Sequence, residues 1–413
     1  MKYGCIGEHL KHSFSKEIHN ALTDYEYEIR EIERDKLSDF AEKKDFRAIN
    51  VTIPYKELIM PHMYYIDEHA ASIGAVNTVV NRDGLLYGYN TDFFGMSMLI
   101  RHAGVDIKGK KVVILGTGGT SKTSVAVAKA LLADKIIRVS RTAREDAISY
   151  GELYEKHTDA DVIINTTPSG MFPNIFDTPV DISKFPALSG VIDAVYNPLR
   201  TPLILAARKN GIAAEGGLYM LVAQAVRASE IFIDTKYEED TAERIYSKIK
   251  REKENIVLIG MPASGKSTVG ALLAEKLSRP LIDTDKLIEA RAQMAIPEIF
   301  EKFGEKEFRR LETEAIKEAS AQNSSVIATG GGAVLKEENV TALKENGRIY
   351  FIDRPLEALI PTVDRPLSKT KEAITERYNE RYGIYCSSAD VRVDADCSAQ
   401  SVAEKINGEF EKS

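Results

Sequence analysis

Tryptophan is absent from the 413 residues, and aromatic residues make up only 8%. A base-stacking platform for nucleic acid is therefore not expected. Cysteine is scarce: Cys5, Cys386 and Cys397 have a spacing that suits neither a disulfide framework nor a zinc site. That scarcity points to a reducing compartment. The seven histidines show no metal-ligand spacing such as HExxH, so zinc chemistry is not indicated. No stretch approaches 18 consecutive apolar residues, which argues against a membrane-spanning helix. The opening MKYGCIGEHLKHSFSKEIHN lacks the apolar run and small-residue cleavage site of a signal peptide. A cytoplasmic location is the expectation. Net charge is −7, so there is no general attraction to nucleic acid or to anionic membranes. Any phosphate-bearing ligand must be caught by a local cluster.

What the chain does have is ordinary globular material, with 44% hydrophobic and 28% charged residues. Its length suits two or three domains. The main shift in composition is the doubly charged stretch DTKYEEDTAERIYSKIKREKEN at 234–255. It reads as an exposed helix leading from one domain into another. Two strand–glycine-loop–helix signals flank it, one starting at Lys110 and one at Asn255. In each, a β-branched run ends in glycines and opens an alanine- and leucine-rich helix, the start of a βαβ unit. Further apolar strands follow each signal: IIRVS, DVIIN and GVIDAVY after the first, PLIDTD, SVIAT and RIYFID after the second. Two separate parallel α/β sheets are expected, with residues 1–100 as a mixed unit serving the first.

The first loop is Gly116-Thr117-Gly118-Gly119-Thr120-Ser121. Glycines let the backbone approach a pyrophosphate, and the helix N-terminus favours negative charge. Ser121 stands where the usual dinucleotide fingerprint has its third glycine. An acidic residue about 20 positions on would select NAD through the ribose hydroxyl. Here the next strand ends instead in Ser140-Arg141-Thr142-Ala143-Arg144. Arg141 can pair with a 2′-phosphate and Arg144 can add charge, which favours NADP.

Polar clusters precede this loop: His12-Ser13-Phe14-Ser15, Asn50-Val51-Thr52-Ile53-Pro54-Tyr55-Lys56, Gly74-Ala75-Val76-Asn77-Thr78 and Asn90-Thr91-Asp92. Singly, each suits a turn or a helix cap. In this order they resemble the shikimate dehydrogenase family, with its HSxSPxxHN, NVTxPxK, GAVNT and NTD motifs. The resemblance continues through Asn165-Thr166-Thr167-Pro168-Ser169-Gly170-Met171, Asp193-Ala194-Val195-Tyr196-Asn197-Pro198 and Met220-Leu221-Val222-Ala223-Gln224-Ala225. It implies that Lys56 and Asp92 serve as the catalytic pair for reducing a ring ketone, which needs a hydride donor and a proton donor. It also implies that Ser13 and Ser15 bind the substrate carboxylate. Thr52, Asn77, Asp92, Tyr196 and Gln224 would hold ring oxygens, and Ala194 and Gly217 would line the nicotinamide. Lys16, where the family usually has proline, and Glu8-His9 depart from its pattern.

The second loop, Gly260-Met261-Pro262-Ala263-Ser264-Gly265-Lys266-Ser267, fits G-x-x-x-x-G-K-[ST] fully. Such backbone amides cradle phosphates, the lysine neutralises β/γ oxygens and the serine ligates magnesium. With Thr268, residues Ala263 to Ser267 form the expected ATP site. Downstream stand Asp283-Thr284-Asp285, Gly304-Glu305-Lys306-Glu307-Phe308-Arg309-Arg310-Leu311-Glu312 on an expected helix, Gly330-Gly331-Gly332-Ala333, Asp364-Arg365-Pro366-Leu367 and Arg381-Tyr382-Gly383-Ile384-Tyr385. Their order resembles shikimate kinase. The resemblance implies that Arg309 and Arg381 hold the acceptor's carboxylate, Asp285 its hydroxyls and the departing proton, and Gly331 the close side of the ring. Asp283 would help Ser267 hold magnesium, and Arg365 would stabilise the transferring phosphoryl from a lid.

The expected fold is α/β: a two-lobe dehydrogenase with a Rossmann-like NADP domain, followed by a P-loop kinase domain. Residues 1–250 form the first part, with 1–100 and about 217–240 as substrate lobe and 101–216 as NADP lobe. Residues 254–413 form the second. The resemblance implies NADPH, ATP and Mg2+ as cofactors, and 3-dehydroshikimate and shikimate as small-molecule partners. Only Ile360-Pro361-Thr362-Val363 precede Asp364-Arg365, a short lid. That shortness leaves open a nucleotide-binding regulatory module without kinase activity as the second part, and a dehydrogenase active on quinate/shikimate is the alternative for the first.

Overall fold

The computed structural model describes residues 1–8, 10, 14–359 and 370–412. The chain divides into two compact units, Met1–Ile249 and Lys250–Ser413. Among the described residues no helix is long and apolar enough to cross a membrane.

The first unit holds two sheets. One is mixed and comprises β1 (Tyr3–Gly7), β2 (Tyr27–Glu31), β3 (Ala48–Val51), β4 (Tyr65–Ile66), β5 (Thr78–Arg82) and β6 (Leu85–Tyr89), in the order β2-β1-β3-β5-β6-β4. The antiparallel pairs are β3–β5 and β5–β6. The other comprises β7 (Lys111–Leu115), β8 (Lys135–Ser140), β9 (Ile148–Ser149), β10 (Val162–Asn165), β11 (Gly190–Asp193) and β12 (Ala213–Glu215). It is parallel throughout, in the order β12-β11-β10-β7-β8-β9. Its central strands are apolar on both faces, as a helix-covered parallel sheet requires. Val112, Ile114, Val162 and Ile164 enter one core, while Val113, Leu115, Ile163 and Val191 enter the other. The helices Asp92–His102 and Leu218–Ile233 pack against each other and against the first of these cores.

The charged stretch expected as an exposed helix is a helix, Thr241–Lys253, but it is not exposed on all sides. Ala242, Ile245, Tyr246 and Ile249 are buried in the first unit's core. Their i,i+3/i+4 spacing gives the helix an apolar stripe that the density of charge conceals in the sequence.

The second unit is built on β13 (Asn255–Ile259), β14 (Leu281–Asp283), β15 (Val326–Ala328), β16 (Gly347–Asp353) and β17 (Val391–Asp394). All pairs are parallel, in the order β14-β15-β13-β16-β17. The period of two again divides its side chains between two cores: Val257, Ile259, Ile327, Ile349 and Phe351 face one, and Ile256, Leu258, Val326, Tyr350 and Ile352 the other. The helix carrying Arg309, Ile296–Ser320, is broken at Gly304, whose φ of 78° no helix residue adopts.

One buried group in this unit works against stability. Glu345, near the end of the helix Glu337–Asn346, is fully buried, and neither carboxylate oxygen has a hydrogen-bond partner. Burial pushes its carboxyl up to about 9, with Lys317 pulling slightly the other way. Between the ordinary carboxyl range and that value the unfolded chain is ionised and the folded one protonated. Stability therefore falls as pH rises through this window. At pH 7 the cost is about 3 kcal/mol. Glu345→Gln, which keeps the shape without the charge, is expected to stabilise the unit at pH 8 and to make little difference near pH 5. Scanning calorimetry of the full chain at both pH values measures this; equal gains at both would exclude charge burial as the cause.

Candidate active sites

In the first unit the NVT-type turn leads from β3 into a short helix, Tyr55–Leu58. The Lys56 carbonyl accepts from Val76 N at 2.8 Å, which ties this turn to the segment carrying Asn77. Lys56 Nζ donates to Asp92 Oδ2 at 2.6 Å. Asp92 opens the helix Asp92–His102, whose N-terminal end favours a carboxylate. Asn77 is buried. Its Oδ1 accepts from Thr91 N at 2.8 Å and Thr78 Oγ1 at 3.0 Å, and its Nδ2 donates to Gln224 Oε1 at 3.3 Å. Lys56, Asp92, Asn77 and Gln224 are thus drawn together from four segments through Thr91 and its neighbours.

Behind them lies a buried polar chain. Asn50 accepts from Tyr27 OH at 2.7 Å and donates to Thr78 Oγ1 at 3.2 Å. His19 stacks on Tyr27 at 3.9 Å and meets Tyr25 OH at 2.6 Å. Burial lowers its pKa to about 3, so it is neutral at physiological pH. Tyr196 meets Phe14 edge to face at 5.4 Å, and Phe14 immediately precedes the helix Ser15–Leu22. Burial and then Cys5 raise the Tyr196 phenol. Thr52 is half-buried on the turn before Lys56. Ser13 lies outside the described residues.

The first glycine loop follows β7. Gly119 begins the helix Gly119–Ala130, and open space faces both Gly118 and Gly119. Ser121, the residue in place of the third glycine, is fully buried and donates to the Gly116 carbonyl at 2.7 Å. Its hydroxyl closes the turn from within. Arg138 braces the loop from β8, donating to Ser121 Oγ at 3.3 Å and Thr117 O at 3.2 Å. The Thr120 carbonyl accepts from Ser124 Oγ at 2.9 Å. After β8, Ser140 is buried and donates to the Thr142 carbonyl. Arg141 and Arg144 are exposed and form no ion pair among the described residues. Ala194 and Gly217 touch: a Cβ on Gly217 would lie 2.2 Å from the Ala194 carbonyl oxygen, so only glycine fits there.

In the second unit the phosphate loop joins β13 to the helix Lys266–Leu277. Ala263 (φ 65°) and Gly265 (φ 93°) are left-handed, the backbone of an anion-binding concavity. Lys266 is buried and donates to the carbonyls of Gly260 and Met261, each at 2.9 Å. Ser264 is buried as well, with its Oγ lacking a partner, while Thr268 is exposed. Ser267 Oγ donates to Asp283 Oδ2 at 2.9 Å. The other Asp283 oxygen caps the helix Thr284–Ala292, accepting from Asp285 N at 3.0 Å.

The glycines at 330–332 are where the remaining residues converge. A Cβ on Gly330 would lie 2.6 Å from Asp285 Oδ1 and 3.1 Å from Glu312 Oε1, and one on Gly332 would strike the Arg309 guanidinium. Arg309 pairs with Glu312 at 2.7 Å and Glu305 at 3.1 Å. Burial opposes its charge, but these two carboxylates outweigh it and hold the guanidinium protonated. Arg381, from the helix Lys371–Ser388, donates to the Gly331 carbonyl at 3.3 Å, and Tyr385 donates to the same oxygen. Burial lowers the Arg381 pKa, and Arg309 acts in the same direction. The two arginines lie in electrostatic reach of each other beside a glycine edge, and guanidinium forks are the donors a carboxylate takes. Arg365 lies outside the described residues.

The family model for the shikimate dehydrogenase substrate-binding domain matches residues 5–79, and that for shikimate kinase matches 262–410. A shikimate dehydrogenase (NADP(+)) of Clostridium perfringens is 38% identical over 266 residues, covering 60% of this chain and 98% of that protein. The chain belongs to the shikimate dehydrogenase family. Its C-terminal unit is a shikimate kinase domain, so it is a bifunctional shikimate-pathway enzyme. The crystal structure of shikimate dehydrogenase 1 from Peptoclostridium difficile is 36% identical, with a TM-score of 0.55 over 60% of this chain and 98% of its own. A chorismate mutase/shikimate 5-dehydrogenase fusion protein from Clostridium acetobutylicum is also 36% identical, with a TM-score of 0.56 over 60% of this chain and 96% of its own.

Three residues of this dehydrogenase–kinase fusion take part in the sites without a role assigned from sequence. Arg138 sits inside the strand IIRVS and carried no motif. Glu312 closes the motif that carries Arg309, and its position three residues after Arg309 on a helix was the available signal for a pair. Burial raises its carboxyl, with Arg309 acting against that effect. Tyr385, four residues after Arg381, was visible by the same helical spacing.

Proposed function

We propose that the first unit reduces 3-dehydroshikimate to shikimate with NADPH and that the second transfers the γ-phosphoryl of ATP to the shikimate 3-hydroxyl. The observation that carries this reading is that each unit sets its own nucleotide-type glycine loop alongside its own cluster suited to a small polyhydroxy carboxylate. In the first, NADPH when bound would supply the hydride for the ring carbonyl carbon, and Lys56 would give the carbonyl oxygen its proton. Asp92 holds the ammonium in place, while Asn77, Gln224, Thr52 and Tyr196 orient ring oxygens and the serines take the carboxylate. The open approach to Gly118 and Gly119 fits a pyrophosphate, and Arg141 with Arg144 would meet the 2′-phosphate.

In the second unit Arg309 and Arg381 take the carboxylate. Asp285 orients the attacking hydroxyl and accepts its proton as the oxygen bonds to the γ-phosphorus and the bond to ADP breaks. Lys266 leaves the loop carbonyls for the phosphate oxygens, and Arg365 would act from the lid. The Ser267 hydroxyl and Asp283 carboxylate fit the one or two protein oxygens that magnesium takes while keeping several waters. When bound there, that ion neutralises phosphate charge.

The test is the full chain with 3-dehydroshikimate, NADPH, ATP and magnesium, following NADPH oxidation and ADP release together. One of each per substrate consumed is expected. NADPH oxidation without ADP release would leave the second unit a nucleotide-binding module, and no NADPH oxidation would remove the reductase.

A further inference from the structure

Tyr385 is buried at 1% exposure, with its ring stacked on Phe351 at 5.1 Å and 16°. Its hydroxyl reaches the Gly331 carbonyl, which also accepts from Arg381 Nη1 at 3.3 Å. One carbonyl oxygen has two lone pairs and takes both donors. In the proposed reaction Arg381 must turn its fork to a substrate carboxylate, and that removes one of the two donors from the glycine edge. A buried acceptor left bare is costly, and while Nη1 is held by the backbone the plane of the guanidinium fork is set by that bond and not by the ligand.

From this shared acceptor we infer that Tyr385 is a positioning residue for shikimate. It keeps the Gly331 carbonyl hydrogen-bonded so that Arg381 is released to the substrate carboxylate. The inference rests on the reading that Arg381 binds that carboxylate. Tyr385 touches no reacting atom, so its removal acts on binding and leaves the phosphoryl-transfer step alone. Phenylalanine at this position keeps the stack on Phe351 and deletes only the hydroxyl. Arg381 then becomes the single donor to Gly331, and ligand and backbone compete for it.

The experiment is steady-state phosphorylation by the full chain carrying Tyr385→Phe. The shikimate KM is expected to rise roughly tenfold, with kcat, the ATP KM and NADPH-dependent reduction within about twofold of the parent. In an Arg381→Met background the same Tyr385→Phe change is expected to raise the shikimate KM no further, because no guanidinium remains to be held back. An unchanged KM in the single variant overturns the inference. So does a fall in kcat at constant KM, or a full additional rise in the double variant, which would mark Tyr385 as merely structural. An unchanged shikimate KM in Arg381→Met alone would sink the carboxylate reading itself. A raised KM there, beside an unchanged one in Tyr385→Phe, removes only the role of Tyr385.

Discussion

Lys56→Met is expected to lower NADPH-dependent reduction about 10³-fold, within the range typical for loss of a positioned proton donor, while shikimate phosphorylation by the same chain stays unchanged. Methionine keeps most of the aliphatic stem and removes the ammonium. The fold is expected to tolerate this, because the Asp92 carboxylate left behind lies in the first turn of the helix Asp92–His102 and meets the partial positive charge of its N-terminus. The loss is expected in kcat, since the proton moves only as the alkoxide forms. In the proposed reading NADPH is held by the loop at Gly116–Thr120 and the arginines after β8, so its KM is expected to stay near the parental value. Stopped-time assays of both activities on one preparation measure this. A loss below tenfold in reduction would move the proton donor to another group, and a parallel loss in phosphorylation would signal general damage.

Much of the architecture was legible because its signals are local. The runs KVVIL, VIIN and NIVLI read as strands buried on both faces, and KVVIL and NIVLI each run into a glycine loop whose spacing has a physical meaning. The candidate sites were legible as ordered motifs, which name residues without showing which touch which. Asn77 could be singled out, but its anchoring by Thr91 and Gln224 joins segments 14 and 147 residues away. Burial was harder to read. The Thr241–Lys253 helix looks solvated because charge fills three of its faces, and its four apolar contacts emerge only once the helical period is imposed. Gly304 reads as part of a helix until its backbone angle is known. Glu345 is one glutamate in a charged segment, and nothing local marks it as buried. Arg141 and Arg144 stand exposed on their turn, where a motif and a solvated pair look alike in sequence.

Asp285→Asn provides the complementary result: phosphoryl transfer falls about 10²-fold or more, and NADPH-dependent reduction is untouched. Asp285 follows the Asp283 cap, and its backbone amide is fixed by that cap at 3.0 Å. Asparagine leaves this amide bond in place and is nearly isosteric beside Gly330. It can still accept a hydrogen bond from the attacking hydroxyl, but it cannot take the proton. It also removes one negative charge next to Glu312, whose carboxyl Asp285 helps to raise, so the Arg309 pair is expected to tighten and not to loosen. The shikimate KM should therefore change little while kcat falls, which separates this variant from Tyr385→Phe, where the order is reversed. A loose phosphoryl-transfer transition state demands less of a base than ketone reduction demands of its proton donor, so the expected loss is the smaller of the two. Fed 3-dehydroshikimate, NADPH and ATP, the Asp285→Asn chain should oxidise NADPH at the parental rate and accumulate shikimate with little ADP. The Lys56→Met chain should do neither until shikimate is supplied, and then phosphorylate it normally. If Asp285→Asn phosphorylates shikimate at the parental rate, Asp285 is neither the proton acceptor nor the group that aligns the hydroxyl.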